Sequence, residues 1–167
     1  VQLSSYLSTD FWPPLREAQT AALTLPNTGM VVTIDIGDPQ DIHPRNKQEV
    51  GRRLAQLAKG RVYDIPGDFS GPVFLSAGRE GRAMRVRFAH VEGGLVAYDK
   101  PVQSLQLAGA DQVFHPAAGV LENGTLLVTS PAVKEPVAVR YAWENAPAAN
   151  LYNGAGLPAA PFRSDNW

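Results

Sequence analysis

From Phe69 to Tyr141 the chain repeats one pattern: a short apolar or β-branched run, then a cluster of turn residues. The runs are Val73–Ser76, Ala83–Ala89, Gly94–Tyr98, Ser104–Ala108, Ala118–Leu121, Thr125–Thr129 and Val137–Tyr141. Between them stand Glu92-Gly93-Gly94, Gly109-Ala110-Asp111, Glu122-Asn123-Gly124 and Ser130-Pro131. Short strands at this spacing read as an antiparallel β-sandwich. Asn123-Gly124 is the sharpest signal, because a two-residue hairpin turn needs two residues that tolerate positive φ. The stretch from Asn145 to Trp167 is rich in Pro, Gly, Ala and Asn, and is expected to pack as an ordered irregular tail.

The first sixty or so residues follow a different rhythm. Pro13-Pro14 suits a helix start, where a missing amide proton costs little. Leu15–Leu23 is rich in helix formers and is expected to bury Leu15, Ala18 and Ala22. Pro26–Gly29 breaks that helix, and Met30–Ile36 has the β-branched composition of a buried strand. Pro44 suits an early helical position. Val50, Leu54 and Leu57 then form an apolar i, i+4, i+7 stripe, and Gly60 a stop. Helix, strand, loop and helix make an α/β unit.

Composition narrows the function classes. The formal net charge is -1 over 167 residues, with 44% hydrophobic and 19% charged. A globular, soluble protein fits, and no basic footprint for nucleic acid is present. Arg52-Arg53, and the group Arg79, Arg82, Arg85 and Arg87, read as solvated surface. The absence of cysteine excludes a disulfide framework and a thiolate nucleophile. No apolar run approaches the roughly 20 residues of a membrane span. Val1-Gln2-Leu3-Ser4-Ser5 carries neither an initiator methionine nor a signal pattern, so the chain is expected to begin inside a longer precursor or after a processed cut.

The chemistry-bearing stretch is Gly37-Asp38-Pro39-Gln40-Asp41-Ile42-His43-Pro44, a loop between the expected strand and the second helix. Active sites of open α/β sheets gather at this end of a strand. A histidine beside a carboxylate is the arrangement of a general base, the carboxylate fixing the tautomer and stabilising the imidazolium. The plainer reading makes His43 and Asp41 cap and turn residues. Metal binding by His43, Asp41 and Asp38 needs further ligands, and neither His90 nor His115 has ligand spacing to them. No Gly-x-Ser-x-Gly elbow, phosphate loop, dinucleotide fingerprint or His-Glu-x-x-His helix occurs. Ser4, Ser5, Ser8, Ser70 and Ser76 are ordinary loop or strand serines. Trp12, Trp143 and Trp167 suit a core, or alternatively a sugar-stacking surface.

Several blocks carry a family resemblance in consistent order: Leu15–Gln19, Leu25–Met30, Gly37–Pro39, Asp41–Lys47, Pro136–Trp143, Asn150–Asn153 and Gly156–Arg163. Together they resemble the C-terminal part of sialate O-acetylesterase-like proteins, carbohydrate esterases of the SGNH-hydrolase superfamily. The resemblance implies an α/β fold: residues 1–66 as the C-terminal portion of an SGNH-like three-layer domain, and residues 67–167 as an antiparallel β-sandwich region with its tail. It implies hydrolysis of acetyl esters on sugars or oligosaccharides in the periplasm or outside the cell. No cofactor is expected, and charge and hydropathy have already set aside nucleic acid and membrane as partners. It makes His43 the base and leaves the nucleophilic serine to an N-terminal segment or a second chain. The family commonly has an aspartate three residues before the histidine. Here that position is Gln40, and Asp41 is taken as the orienting carboxylate, with Asp38 or a backbone carbonyl as the other options. The competing expectation is a non-catalytic carbohydrate-binding or accessory module, and a third is a metal-dependent hydrolase.

Overall fold

The computed structural model describes residues 1–98 and 100–167. Its elements are α1 (Pro13–Ala21), a 3-10 turn (Ala22–Thr24), α2 (Lys47–Val62), β1 (Val73–Glu80), β2 (Ala83–Ala89), β3 (Leu95–Val96), β4 (Val102–Ala108), β5 (Phe114–Glu122), β6 (Thr125–Thr129), β7 (Ala138–Tyr141), β8 (Tyr152–Asn153) and β9 (Phe162–Arg163). Seven strands form one antiparallel sheet in the order β1-β2-β6-β5-β4-β7-β9, and β3 pairs with β8 in a small second ladder. The fold is therefore mostly β, with few helices.

Each of the seven runs between Val73 and Tyr141 overlaps a strand, Gly94–Tyr98 only at Leu95–Val96, and alternation places one face inward. Met84, Val86 and Phe88 of β2 are buried with Leu126 and Val128 of β6, Leu105 and Leu107 of β4, and Val139 and Tyr141 of β7. Asn123 and Gly124 take φ of 49° and 71° and join β5 to β6 with Glu122 opposite Thr125. Both residues at positive φ is the turn whose twist matches the strands. The expected sandwich is instead one sheet curled on itself. Phe74 of β1 stacks on Phe162 of β9 with centroids 4.6 Å apart, and Phe88 meets the same ring edge-on at 5.6 Å. The sheet's two end strands thus share one aromatic cluster.

The tail is ordered by polar contacts as well as apolar ones. Buried Asn153 donates through Nδ2 to the carbonyls of Ser70 and His90 and accepts from the Leu157 amide. The Leu151 amide donates to the Tyr141 hydroxyl at 3.0 Å. Arg140 forks onto Asp165 at 2.8 and 2.7 Å and lies over the Phe114 ring at 3.8 Å.

The first 66 residues depart from the apolar pattern. In α1, Leu15 is half exposed and Ala18 and Ala22 are exposed, while Arg16 is fully buried. Its guanidinium donates to the carbonyls of Leu3, Ser4, Glu144 and Asn145 at 2.7–2.9 Å. In α2, Leu54 is 40% exposed and Arg53 is the buried residue. Arg52 and Arg53, expected together on the surface, part company. The helix begins at Lys47 rather than near Pro44, because Asn46 accepts from the Glu49 amide as N-cap. It also runs past Gly60, which instead admits the Phe69 ring: a β-carbon there would sit 2.0 Å from that ring. Val31, Thr33 and Ile34 of Met30–Ile36 are buried, yet the segment joins no ladder among the described residues. It turns at Ile34-Asp35, where the Ile36 amide donates to the Thr33 carbonyl at 3.2 Å. Its main-chain neighbour is the N-terminal segment, through the Gln2 amide donating to Val31 at 2.9 Å. β-branched residues favour a pleated, half-buried surface, and only paired neighbours turn that preference into a strand. The α/β unit is thus present as two helices around an irregular segment, and a three-layer arrangement is not visible among the described residues.

Candidate active site

The loop from Gly37 to Asn46 is shaped by its own short polar side chains. The Gln40 amide donates to Asp38 Oδ1 at 2.9 Å, and the Asp41 amide to the Asp38 carbonyl at 3.2 Å. These are the local bonds by which aspartate stabilises turns. Asp38 is engaged within the turn. Gly37 presses against the backbone of Ser5, where a β-carbon would come within 2.4 Å of the Ser5 nitrogen. The Leu7 amide donates to the Pro39 carbonyl at 2.9 Å, so the N-terminal segment forms the loop's floor.

Asp41 and His43 are brought together as expected. The Asp41 Oδ1 atom accepts from the His43 amide at 2.9 Å and lies 3.1 Å from the ring nitrogen Nδ1. A proton on Nδ1 donates to that carboxylate and leaves the Nε2 lone pair outward, the tautomer a general base needs. The His43 backbone amide, and then its ring, hold the Asp41 carboxyl below the usual carboxylate range. The His43 side chain is 83% exposed, and among the described residues no hydroxyl is hydrogen-bonded to it. Ser5 is committed elsewhere, its hydroxyl donating to the Ile34 carbonyl at 2.6 Å. Gln40 contributes its amide to the turn and no side-chain bond to the histidine. His90 and His115 stand apart: the His90 carbonyl accepts from Asn153, and His115 sits in β5 opposite Leu107. No group of three or more His, Cys, Asp or Glu poised around a metal occurs among the described residues.

Beneath the loop lies a network that apolar periodicity did not point to. Arg53 donates from Nη1 to the Val32 carbonyl and Asp35 Oδ1, from Nη2 to Asp35 Oδ2, and from Nε to Glu49 Oε1, each at 2.7 Å. Arg53 and Asp35 have side chains only 4% and 6% exposed. Burial alone would lower the Arg53 pKa, but the bonds and charges of Asp35 and Glu49 outweigh it and raise it. The Tyr152 hydroxyl lies 3.5 Å from Asp35 Oδ2, and burial, then the Asp35 charge, push its pKa up to about 12. The one legible signal was Asp35 in an otherwise apolar run, since a buried carboxylate requires a partner.

Glu49 carries a pH signature. Bonds from Arg52 and then Arg53 pull its pKa down to about 2 from 4.5. In that interval the unfolded chain binds the proton and the folded chain does not, so folding stability rises with pH there. The Glu49 contribution is complete above about pH 4.5 and is lost as the pH falls toward 2. Denaturant titrations should show Glu49→Gln less stable than the parent at pH 6, with the gap narrowing at pH 3. A gap independent of pH would contradict the assignment.

The whole structure superposes on a crystal structure of a carbohydrate acetylesterase from Xanthomonas citri. The TM-score is 0.94 with 42% sequence identity, over 99% of this chain and 40% of that one. This chain therefore spans about two fifths of that protein's length. No family model and no curated protein matches it. The curled antiparallel sheet, the two helices and the loop between them are thus shared with part of a carbohydrate acetylesterase.

Two other sequence expectations find their place. Trp12 and Trp143 are buried at 9% and 7% exposure, so neither offers a face to a sugar, while Trp167 is partly exposed. Among the described residues no helix is long and apolar enough to cross a membrane.

Proposed function

We propose that this chain is the base-bearing part of a carbohydrate O-acetylesterase of the sialate O-acetylesterase type, with His43 as general base and Asp41 as its orienting carboxylate. The observation that carries the reading is the Asp41–His43 pair with Nε2 facing outward, in a chain 42% identical over nearly its whole length to part of a carbohydrate acetylesterase. His43 Nε2 removes the proton of a serine hydroxyl as the oxygen attacks the acetyl carbonyl carbon. The imidazolium returns that proton to the departing sugar oxygen. Water, deprotonated by the same nitrogen, then cleaves the acetyl-serine and releases acetate. Asp41 offsets the positive charge on the ring in both steps.

The serine belongs to another stretch of polypeptide, and the apolar surface supports that. Among the described residues seventeen large apolar or aromatic side chains are exposed, and eleven of them lie in the first 65 residues. Leu23, Leu25, Leu54, Leu57 and Val62 line a groove of about 440 Å³ between α2 and the Pro26–Gly29 turn. Exposed apolar area so concentrated marks a surface that another surface covers. Residues 1–66 accordingly complete an SGNH-like three-layer α/β domain, and residues 67–167 form the β unit attached to it. The substrate is an O-acetylated sugar or oligosaccharide, met in the periplasm or outside the cell.

The accessory-module reading makes a sugar platform of tryptophans, and of tyrosines and asparagines in the tail. Of these, Trp12 and Trp143 are core residues and Asn153 is buried with its amide bonded inside the fold, while Trp167 is partly exposed. Acetate release from an O-acetylated sugar by the complete protein, with His43 intact and replaced, tests the proposal.

A further inference from the structure

The base sits on a loop that makes few contacts of its own. His43 bonds only to Asp41 among the described residues, and the loop body is tied to the rest through the Leu7 amide and the Gly37–Ser5 approach. The ring's position is therefore inherited from the two limbs of the loop. Both limbs end on one side chain. The entering limb meets Arg53 through the Val32 carbonyl and both Asp35 oxygens. The leaving limb meets it through Glu49, in the first turn of α2, whose amide is also bonded to the N-cap Asn46.

We propose that Arg53 is a positioning residue for the base, stapling the entry and exit of the His43 loop through Asp35, Val32 and Glu49. This rests on the reading of His43 as base. The guanidinium suits the task because its donors lie in one rigid plane and reach three partners at fixed angles. A lysine would keep the charge but, as a point donor on a flexible stem, could not hold both limbs. The structure also accounts for an arginine rather than an apolar residue on this buried face of α2: an apolar side chain would pack there but leave the loop ends unjoined.

The experiment measures kcat and KM for acetate release from an acetylated monosaccharide by the complete esterase, per folded molecule. Arg53→Lys keeps a cation beside Asp35 and is expected to lower kcat by about 10- to 100-fold, since a displacement near 1 Å costs about that much. KM should change by less than about threefold, because the sugar contacts are untouched. The double variant Asp35→Leu with Arg53→Met replaces the buried pair by apolar groups and should recover folding stability, yet keep the low kcat. Glu49→Gln leaves the buried pair intact and should lose a few-fold in kcat alone, per folded molecule. Parental kcat in Arg53→Lys or in the double variant would overturn the positioning role. If kcat instead follows melting temperature across the three variants, Arg53 is structural only, which also overturns it. His43→Ala run alongside separates the two claims. Activity surviving that change overturns the base assignment and this proposal together, whereas an inactive His43→Ala beside a fully active Arg53→Lys overturns only the positioning.

Discussion

Replacing His43 by alanine is expected to lower kcat/KM for acetate release by about four to six powers of ten while leaving the fold intact. The size follows from the role. Without a base the serine hydroxyl keeps its proton, and both acylation and deacylation stall. What survives is the smaller acceleration from substrate binding and oxyanion donors. The intact fold follows from position. The His43 side chain is 83% exposed and its one polar partner is Asp41, so its removal should change stability by no more than about 0.5 kcal/mol. Acetate release by the complete protein, with thermal melting of the same sample, reads both halves. A loss smaller than tenfold would remove His43 from the mechanism. A loss accompanied by unfolding would make it a structural residue.

Arg16→Met should do the opposite, costing about 3–5 kcal/mol of folding stability with no direct effect on chemistry. Arg16 is fully buried, and its four bonds all go to main-chain carbonyls, none to a carboxylate. Burial draws its pKa down to about 10, so it remains charged at neutral pH. Methionine fills much of the volume but offers no donor. The carbonyls of Leu3 and Ser4 on one side, and of Glu144 and Asn145 on the other, would lose their shared partner, and buried acceptors left unbonded cost about 1–3 kcal/mol each. Those pairs join the N-terminal segment to the loop after β7, so the damage should be greatest there. Urea denaturation gives the number, and hydrogen exchange shows where protection is lost. A change below about 1 kcal/mol would mean that water replaces the guanidinium at little cost.

The contrast between Arg16 and Leu15 explains which parts of the fold could be read from sequence. The β region was legible because its signals are local. Alternation along Ala83–Ala89 and Thr125–Thr129 assigns faces, and Asn123-Gly124 dictates a hairpin. Curling is not local: the Phe74–Phe162 stack joins residues far apart in the chain, and no periodicity announces it. In the first 66 residues burial was inferred from apolar spacing. That logic fails where polar main chain must be buried, and there Arg16 and Arg53 take the inward positions while Leu15 and Leu54 face out. Met30–Ile36 has strand composition, but a strand also needs a neighbour, and composition is silent about that.

The site shows the same division. The Asp41–His43 contact spans two residues and is closed by the turn itself, so spacing sufficed to suggest it. The Arg53–Asp35 pair bridges a helix and the turn that ends the Met30–Ile36 segment, across the loop. Only the conspicuous carboxylate at Asp35 hinted that a partner was required.

The most direct test is a crystal structure of the complete esterase inactivated with a fluorophosphonate, which marks the nucleophilic serine covalently. The expected result is a phosphonylated serine outside this 167-residue chain, its oxygen within about 3.2 Å of His43 Nε2, with Nδ1 still on Asp41. An adduct whose nearest base is any other group, with His43 left facing solvent, would contradict the assignment.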